Sequence, residues 1–282
     1  MQPPSFVDLR SESRSALAAL QAVLPLIHAR RGVDDVREKA PNDIVTGTDV
    51  LVQSTLQQVL HERHPEVGFV GEESGLDAPS SAPRHWLVDP ICGTANYAAG
   101  IPLFATNVAL VEDGRLSLSA VLDGGSRNMY VAESGRGAWH VDPEQSGLTR
   151  LSVDPANRLV SIDPDPQAGH GARSFSTAFA VEALRRRSWD VRALSTTLAL
   201  VYVATGQLGA AVYRTLGTAL HVAAGVLLAR QAGGFVTDQD GMDWTLDSPV
   251  CVAASSQALH AELLAVVEGV YAATTATGTA GT

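Results

Sequence analysis

Trp86-Leu87-Val88-Asp89-Pro90-Ile91-Cys92-Gly93-Thr94-Ala95-Asn96-Tyr97 is the stretch that decides how this chain folds. Its first three residues are apolar, the pattern of a strand end buried on both faces. Proline cannot donate to a ladder, so Pro90 predicts that the strand empties into an Asp-Pro turn and aims Asp89 away from the sheet. Gly93 and Thr94 then open a short polar segment whose backbone N–H groups can hold an anion. A carboxylate beside such amides is what a metal-assisted phosphate site requires.

Upstream, Thr48-Asp49 begins a helix to about His64, with Leu51, Leu56, Val59 and Leu60 on its inner face. Taken alone, Asp49 is a first-turn carboxylate favoured by the helix dipole. Val67-Gly68-Phe69-Val70 reads as a short strand running into Gly71-Glu72-Glu73-Ser74. Taken alone, those adjacent carboxylates are a solvated turn. Before them, Phe6 to Arg30 carries Leu9, Leu17, Leu20, Val23, Leu24 and Ile27 at helical spacing, and Gly32 ends the helix.

Downstream, Phe104 to His140 alternates like an antiparallel meander of four strands, with Glu112-Asp113-Gly114-Arg115 as a hairpin turn and Asp142 to Gly147 as a loop. Strands are predicted at Leu159–Ile162, Ala210–Tyr213 and Cys251–Ala254, and helices at Phe175–Arg187, Leu198–Thr205 and Ala219–Gln231. The last helix is predicted at Ala258–Tyr271. Residues 272–282, rich in Thr, Ala and Gly without apolar pattern, are expected to form a disordered tail.

The 282 residues suit one large domain, 1–271, of two intimate α/β halves at about 1–150 and 151–271. Apolar content of 45% and charged content of 18% are those of a soluble globular protein. A net charge of −10 argues against nucleic acid and anionic membranes as partners. The two cysteines, Cys92 and Cys251, form no disulfide framework. With no visible signal peptide and no membrane-length apolar run, a cytoplasmic protein is expected. One lysine, Lys39, among many arginines and alanines is the bias of a GC-rich bacterial genome.

The central stretch resembles the signature of the inositol monophosphatase family, a hydrophobic lead into Asp-Pro-Ile-Asp-Gly-Thr. Thr46-Gly47-Thr48-Asp49, Gly71-Glu72-Glu73-Ser74 and Val203-Ala204-Thr205-Gly206 resemble further family elements. Ala219-Leu220-His221-Val222-Ala223-Ala224-Gly225, followed by Gly233-Gly234, is similar to the second signature, Trp-Asp-x-Ala-Ala-Gly. The resemblance covers roughly residues 10 to 270. It implies a layered αβαβα sandwich of the inositol monophosphatase and fructose-1,6-bisphosphatase type, a homodimer, and a Mg²⁺-dependent phosphomonoesterase. By position it assigns one Mg²⁺ to Glu72, Asp89 and the Ile91 carbonyl. It assigns orientation of the attacking water to Thr94 and Asp49, and the phosphate to the Gly93 and Thr94 amides.

Two departures stand out. The second metal position, three aspartates in the family, here carries Asp89, Cys92 and His221. Thiolate and imidazole disfavour Mg²⁺ and suit Zn²⁺ or Fe²⁺, unless the second metal is lost and the two residues merely fill its space. Cys92 at a helix start is expected to have a lowered pKa and to be nucleophilic. His221 in a first helical turn is expected to be neutral. The family's acidic substrate contact falls on Arg214, which invites an acidic or phosphorylated group. Three readings stay open at this point: a phosphatase-like enzyme acting on a small phosphorylated sugar, cyclitol or nucleotide; an enzyme repurposed through Cys92 and His221 for elimination, cyclisation or group transfer; and a silent phosphosugar-binding protein.

Overall fold

The computed structural model describes residues 5–40, 43–74, 82–142, 147–163, 170–186, 188–215 and 219–278. In chain order the first half holds α1 (Ser11–Arg30), β1 (Val36–Ala40), β2 (Asp43–Thr46), α2 (Gly47–Arg63), β3 (Gly68–Gly71), β4 (Arg84–Cys92) and α3 (Thr94–Ala98). There follow β5 (Ala105–Glu112), β6 (Arg115–Asp123), β7 (Met129–Glu133), β8 (Gly137–Asp142) and β9 (Gly147–Arg150). The second half holds β10 (Leu159–Ile162), α4 (His170–Arg185), β11 (Asp190–Ala193), α5 (Leu198–Ala204), β12 (Ala210–Arg214) and α6 (Ala219–Gln231). It closes with β13 (Phe235–Thr237), β14 (Val250–Ala254) and α7 (Gln257–Gly278).

Strands β3 to β9 make one seven-stranded sheet in sequence order, and a five-stranded sheet runs β11-β10-β12-β14-β13. Side-chain alternation along β4 explains the layering. Trp86 and Val88 point to one face, where Leu17, Leu20 and Ile27 of α1 and Leu56 of α2 cover them. Leu87 points to the other, against α5 and α6 through Leu200, Val203, Ala223 and Leu227. The same two helices cover Ala211 and Ala253 of the second sheet. Its far face carries Val160, Val212 and Val252 against Phe175 and Phe179 of α4 and Leu259 and Leu263 of α7. The result is the expected αβαβα sandwich. Each fully buried Leu, Val or Phe contributes about 1.5–3 kcal/mol. The central layer is tight: a Cβ on Gly225 of α6 would lie 2.6 Å from Leu200 Cβ.

Two expectations are corrected. Pro90 does not end the strand; β4 runs on to Cys92. Asp89 pairs with Asn107 and Cys92 with Ala105, so β4 carries one extra residue across that interval, a bulge that absorbs the missing proline N–H. The bulge also breaks strict alternation. Ile91 packs with the α1–α2 layer while Cys92 joins Leu87 on the α5–α6 side. The last helix does not stop at Tyr271 but continues to Gly278, so 272–278 are helical. Alanine is a strong helix former, and the Thr274 and Thr275 hydroxyls return to the Val270 and Tyr271 carbonyls at 2.9 and 2.8 Å. Residues 279–282 and 143–146, the rest of the expected tail and most of the expected loop, lie outside the described residues. The β1–β2 hairpin and strands β9, β11 and β13, not predicted, are short, and β1 and β11 are charged and mostly exposed.

Candidate active site

The end of β4, the starts of α2, α3 and α6, and the segment before α5 converge on a cavity of about 250 Å³. Glu72, Ile91, Cys92, Gly93 and Thr94 line it from the first half, and Asp163, Thr197, Arg214 and His221 from the second. Seven of the nine candidate site residues line this one cleft, and the other two, Asp49 and Asp89, lie 3.3 Å from the Thr94 hydroxyl and 2.8 Å from His221 Nδ1.

Asp49 occupies the first turn of α2 in a reciprocal cap. Its Oδ2 accepts from the Thr46 amide at 2.8 Å and hydroxyl at 2.5 Å, and its own amide donates to Thr46 Oγ1 at 3.4 Å. The capping role and the site role coexist, because the other oxygen, Oδ1, lies 3.3 Å from the Thr94 hydroxyl. That hydroxyl also lies 2.9 Å from the Ile91 carbonyl. Burial pushes the Asp49 carboxyl up to about 6, against the hydrogen bonds from Thr46.

Glu72 opens a 3₁₀ turn after β3, and its carboxyl is also pushed upward, by burial first and then by the charge of Asp89. Lys39, reaching over from β1, is 3.3 Å from Glu72 and 2.6 Å from Glu73. Asp89 is completely buried. Its Oδ2 meets His221 Nδ1 at 2.8 Å, while its Oδ1 has no hydrogen-bond partner among the described residues. An unsatisfied buried carboxylate oxygen is costly unless a cation completes it. Glu72 in the cavity wall, the buried Asp89 and the Ile91 carbonyl are oxygen donors of the kind a hard divalent ion such as Mg²⁺ takes.

Cys92 is not at a helix start, as the sequence suggested, but is the last residue of β4 and buried. Burial, then the charge of Asp89, pushes its thiol well above the ordinary range, so the expected lowered pKa is corrected. Its Sγ accepts from the Thr197 amide at 3.3 Å and the Thr197 hydroxyl at 3.0 Å. His221 is the third residue of α6, in its first turn as expected. The ligand atoms of Asp89, Cys92 and His221 all lie within 4.8 Å of one another. The bulge at Pro90 is what lets Asp89 and Cys92 share a face.

Gly93 takes φ +94°, and a Cβ there would meet the Leu103 carbonyl at 3.0 Å and the Ser195 carbonyl at 3.2 Å. Only glycine suits this turn into α3. Arg214, at the end of β12, donates to the Pro249 carbonyl and stacks 5.5 Å over the Tyr271 ring. Sequence reading missed Lys39, Asn107, Asp163 and Thr197. Lys39 carried one available signal, being the only lysine in the chain. Thr197 and Asn107 carried none, since neither falls in a motif.

Comparison with known proteins shows which family has this fold. The chain is 34% identical over 234 residues to an inositol-1-monophosphatase of Mesorhizobium japonicum, covering 81% of this chain and 84% of that protein. It is 32% identical over 239 residues to a histidinol-phosphatase of Mycobacterium tuberculosis, covering 80% and 87%. Among solved structures, the IMPase of Thermotoga maritima superposes with a TM-score of 0.79 at 26% identity, over 92% of this chain and 97% of that one. The profile of the inositol monophosphatase family matches residues 8–271, the span that holds both sheets and every residue of the cleft. The chain belongs to the inositol monophosphatase family of hydrolases.

Proposed function

We propose that this protein is a phosphomonoesterase acting on a small phosphorylated sugar, cyclitol or nucleotide. The observation that carries the reading is the line Asp49–Thr94–Ile91, with the Thr94 hydroxyl 3.3 Å from Asp49 Oδ1 and 2.9 Å from the Ile91 carbonyl, beside Glu72 and Asp89. Glu72, Asp89 and the Ile91 carbonyl would hold Mg²⁺, whose chemistry is to polarise a phosphoryl oxygen and acidify a bound water. Thr94 and Asp49 orient a water molecule, and the raised Asp49 carboxyl is suited to receiving its proton through the Thr94 hydroxyl. The Gly93 and Thr94 amides hold the phosphate, and Arg214, which lines the cavity while its guanidinium rests on the Pro249 carbonyl and the Tyr271 ring, adds positive charge beside the remainder of the substrate. The Asp89–Cys92–His221 position either takes Zn²⁺ or Fe²⁺ or holds no second metal.

The reading in which Cys92 acts as a nucleophile loses support from its burial and its raised pKa. The names of the two relatives support phosphate-ester hydrolysis. The test is phosphate release from a panel including inositol 1-phosphate and histidinol phosphate, with Mg²⁺, Mn²⁺ or Zn²⁺. Mg²⁺-dependent release that falls roughly a hundredfold in Thr94→Ala is expected, the cost of removing one positioning hydroxyl. A folded protein that releases no phosphate from any ester with any of these metals would overturn it.

A further inference from the structure

We propose that Thr197 and Asn107 hold the Cys92 sulfur as a metal-binding thiolate, making Asp89, Cys92 and His221 a site for a borderline-soft divalent cation of the Zn²⁺ class. The inference rests on the hydrolase reading only in placing this site beside the reacting phosphate. The Thr197 amide can only donate, and it donates to Sγ at 3.3 Å. The Thr197 hydroxyl accepts from Asn107 Nδ2 at 3.0 Å, which directs its own proton to Sγ at 3.0 Å. Asn107 is fixed in turn: it stands opposite Asp89 in the β4–β5 pairing, and its Nδ2 lies 3.3 Å from the His221 carbonyl. One side-chain amide thus ties the donor to Cys92, the strand of Asp89 and the helix of His221 together.

Two donors aimed at one sulfur use it as an acceptor, the arrangement that orients a thiolate ligand. The rest of the set is in place. Asp89 Oδ2 lies 2.8 Å from His221 Nδ1, and the ligand atoms of Asp89, Cys92 and His221 all fall within 4.8 Å of one another. Oxygen, sulfur and nitrogen donors, with a further position open to the cavity, match a catalytic zinc-type site and not an oxygen-coordinated Mg²⁺ site. A bound cation would take Cys92 as the thiolate, its proton released to solvent, and His221 as the neutral imidazole. The dication is then balanced by the Asp89 carboxylate and the Cys92 thiolate.

The test is Co²⁺ titration of the full chain after chelator treatment, followed by absorption. A near-ultraviolet thiolate-to-cobalt charge-transfer band saturating at one equivalent is expected. It should vanish in Cys92→Ser, persist in Cys251→Ser and resist excess Mg²⁺. Thr197→Val should weaken Co²⁺ binding roughly 10–100-fold, as loss of a group supporting a metal ligand does, and Thr197→Ser should restore it. Thermal melts of each variant separate lost binding from lost folding. No band in the native protein, or a band that survives Cys92→Ser, overturns the site. Unchanged Co²⁺ affinity in Thr197→Val overturns the role of Thr197. Phosphate release with Mg²⁺ is measured in parallel, so a protein that hydrolyses esters but shows no band keeps the phosphatase reading and loses this one.

Discussion

The two ends of strand β4 carry opposite electrostatics. At its start Arg84 is paired with Glu12, with Glu112 at 2.7 Å and with Glu66 at 3.4 Å, and Arg10 adds a second contact to Glu112 at 3.1 Å. Although burial works the other way, hydrogen bonds, those from Arg84 among them, and the charge of Arg10 hold Glu12 and Glu112 at about 2. At its end Asp89 sits against Glu72, with Asp49 close by, and burial raises the Glu72 and Asp49 carboxyls. Lys39 is drawn to Glu72 and Glu73 and lies above the ordinary lysine range, despite burial pulling it down. Matched charges at one end favour the folded chain by themselves. Carboxylates gathered at the other end favour a proton or a metal ion, which is the signature of a site kept for chemistry.

The sharpest way to break this contrast is Asp89→Asn. It should lower Mg²⁺-dependent phosphate release by roughly a hundredfold to a thousandfold, the order lost with a major electrostatic group. The melting temperature of the metal-free protein should hold or rise, because like-charge repulsion is relieved. A fall of several degrees without metal would show that the site end stabilises the fold after all.

Next in size is the double substitution Cys92→Asp with His221→Asp, which restores three carboxylates. Mg²⁺-dependent phosphate release should rise at least tenfold, equivalent to about 1.4 kcal/mol. The pair must change together, since residues sharing one site are not additive. A variant that binds a second Mg²⁺ and gains no activity counts against a phosphatase weakened at that position.

Arg84→Met probes the opposite end. Its contacts are partly solvated, so a loss of about 1 kcal/mol, or roughly 2–4 °C in melting temperature, is expected. Phosphate release should not change. An altered rate would show that the ends of β4 are coupled.

The smallest effect is the pH dependence of that difference. Glu12 and Glu112 have folded values of about 2, below the ordinary 4.5, so the stability they add is complete above about pH 4.5 and is lost as pH falls toward 2. The gap in melting temperature between native and Arg84→Met protein should therefore close across that window. A gap that persists unchanged at its acid end would assign the loss to packing of the arginine stem instead of to charge.

The helices and strands were legible because their determinants are local. Leu17, Leu20 and Ile27 repeat at helical period, and residues 105–142 alternate, whatever the rest of the chain does. The tail was misread for a related reason: residues 272–278 show no apolar stripe, yet alanine propensity continues α7 without one. Pro90 was misread because a missing N–H ends a strand in isolation, whereas an established sheet absorbs it as a bulge against Asn107 and Ala105.

By itself the sequence determined the helices and strands, through periodicity, and it marked the sandwich and the candidates Asp49, Glu72, Asp89 and Thr94 only through motifs that resemble those of a family. It also marked Cys92 and His221 as the changed positions. Only the tertiary structure decided what those residues meet: Asp89 and His221 touch although 132 positions apart, and Cys92 and Thr197 although 105 apart. The physical reason is that pattern acts within one helix or strand, while burial, charge proximity and hydrogen-bond direction are set by which elements pack together. Cys92 as a bare sequence letter is a reactive thiol; at the end of β4, under Thr197 and beside Asp89, it is a buried acceptor held toward His221.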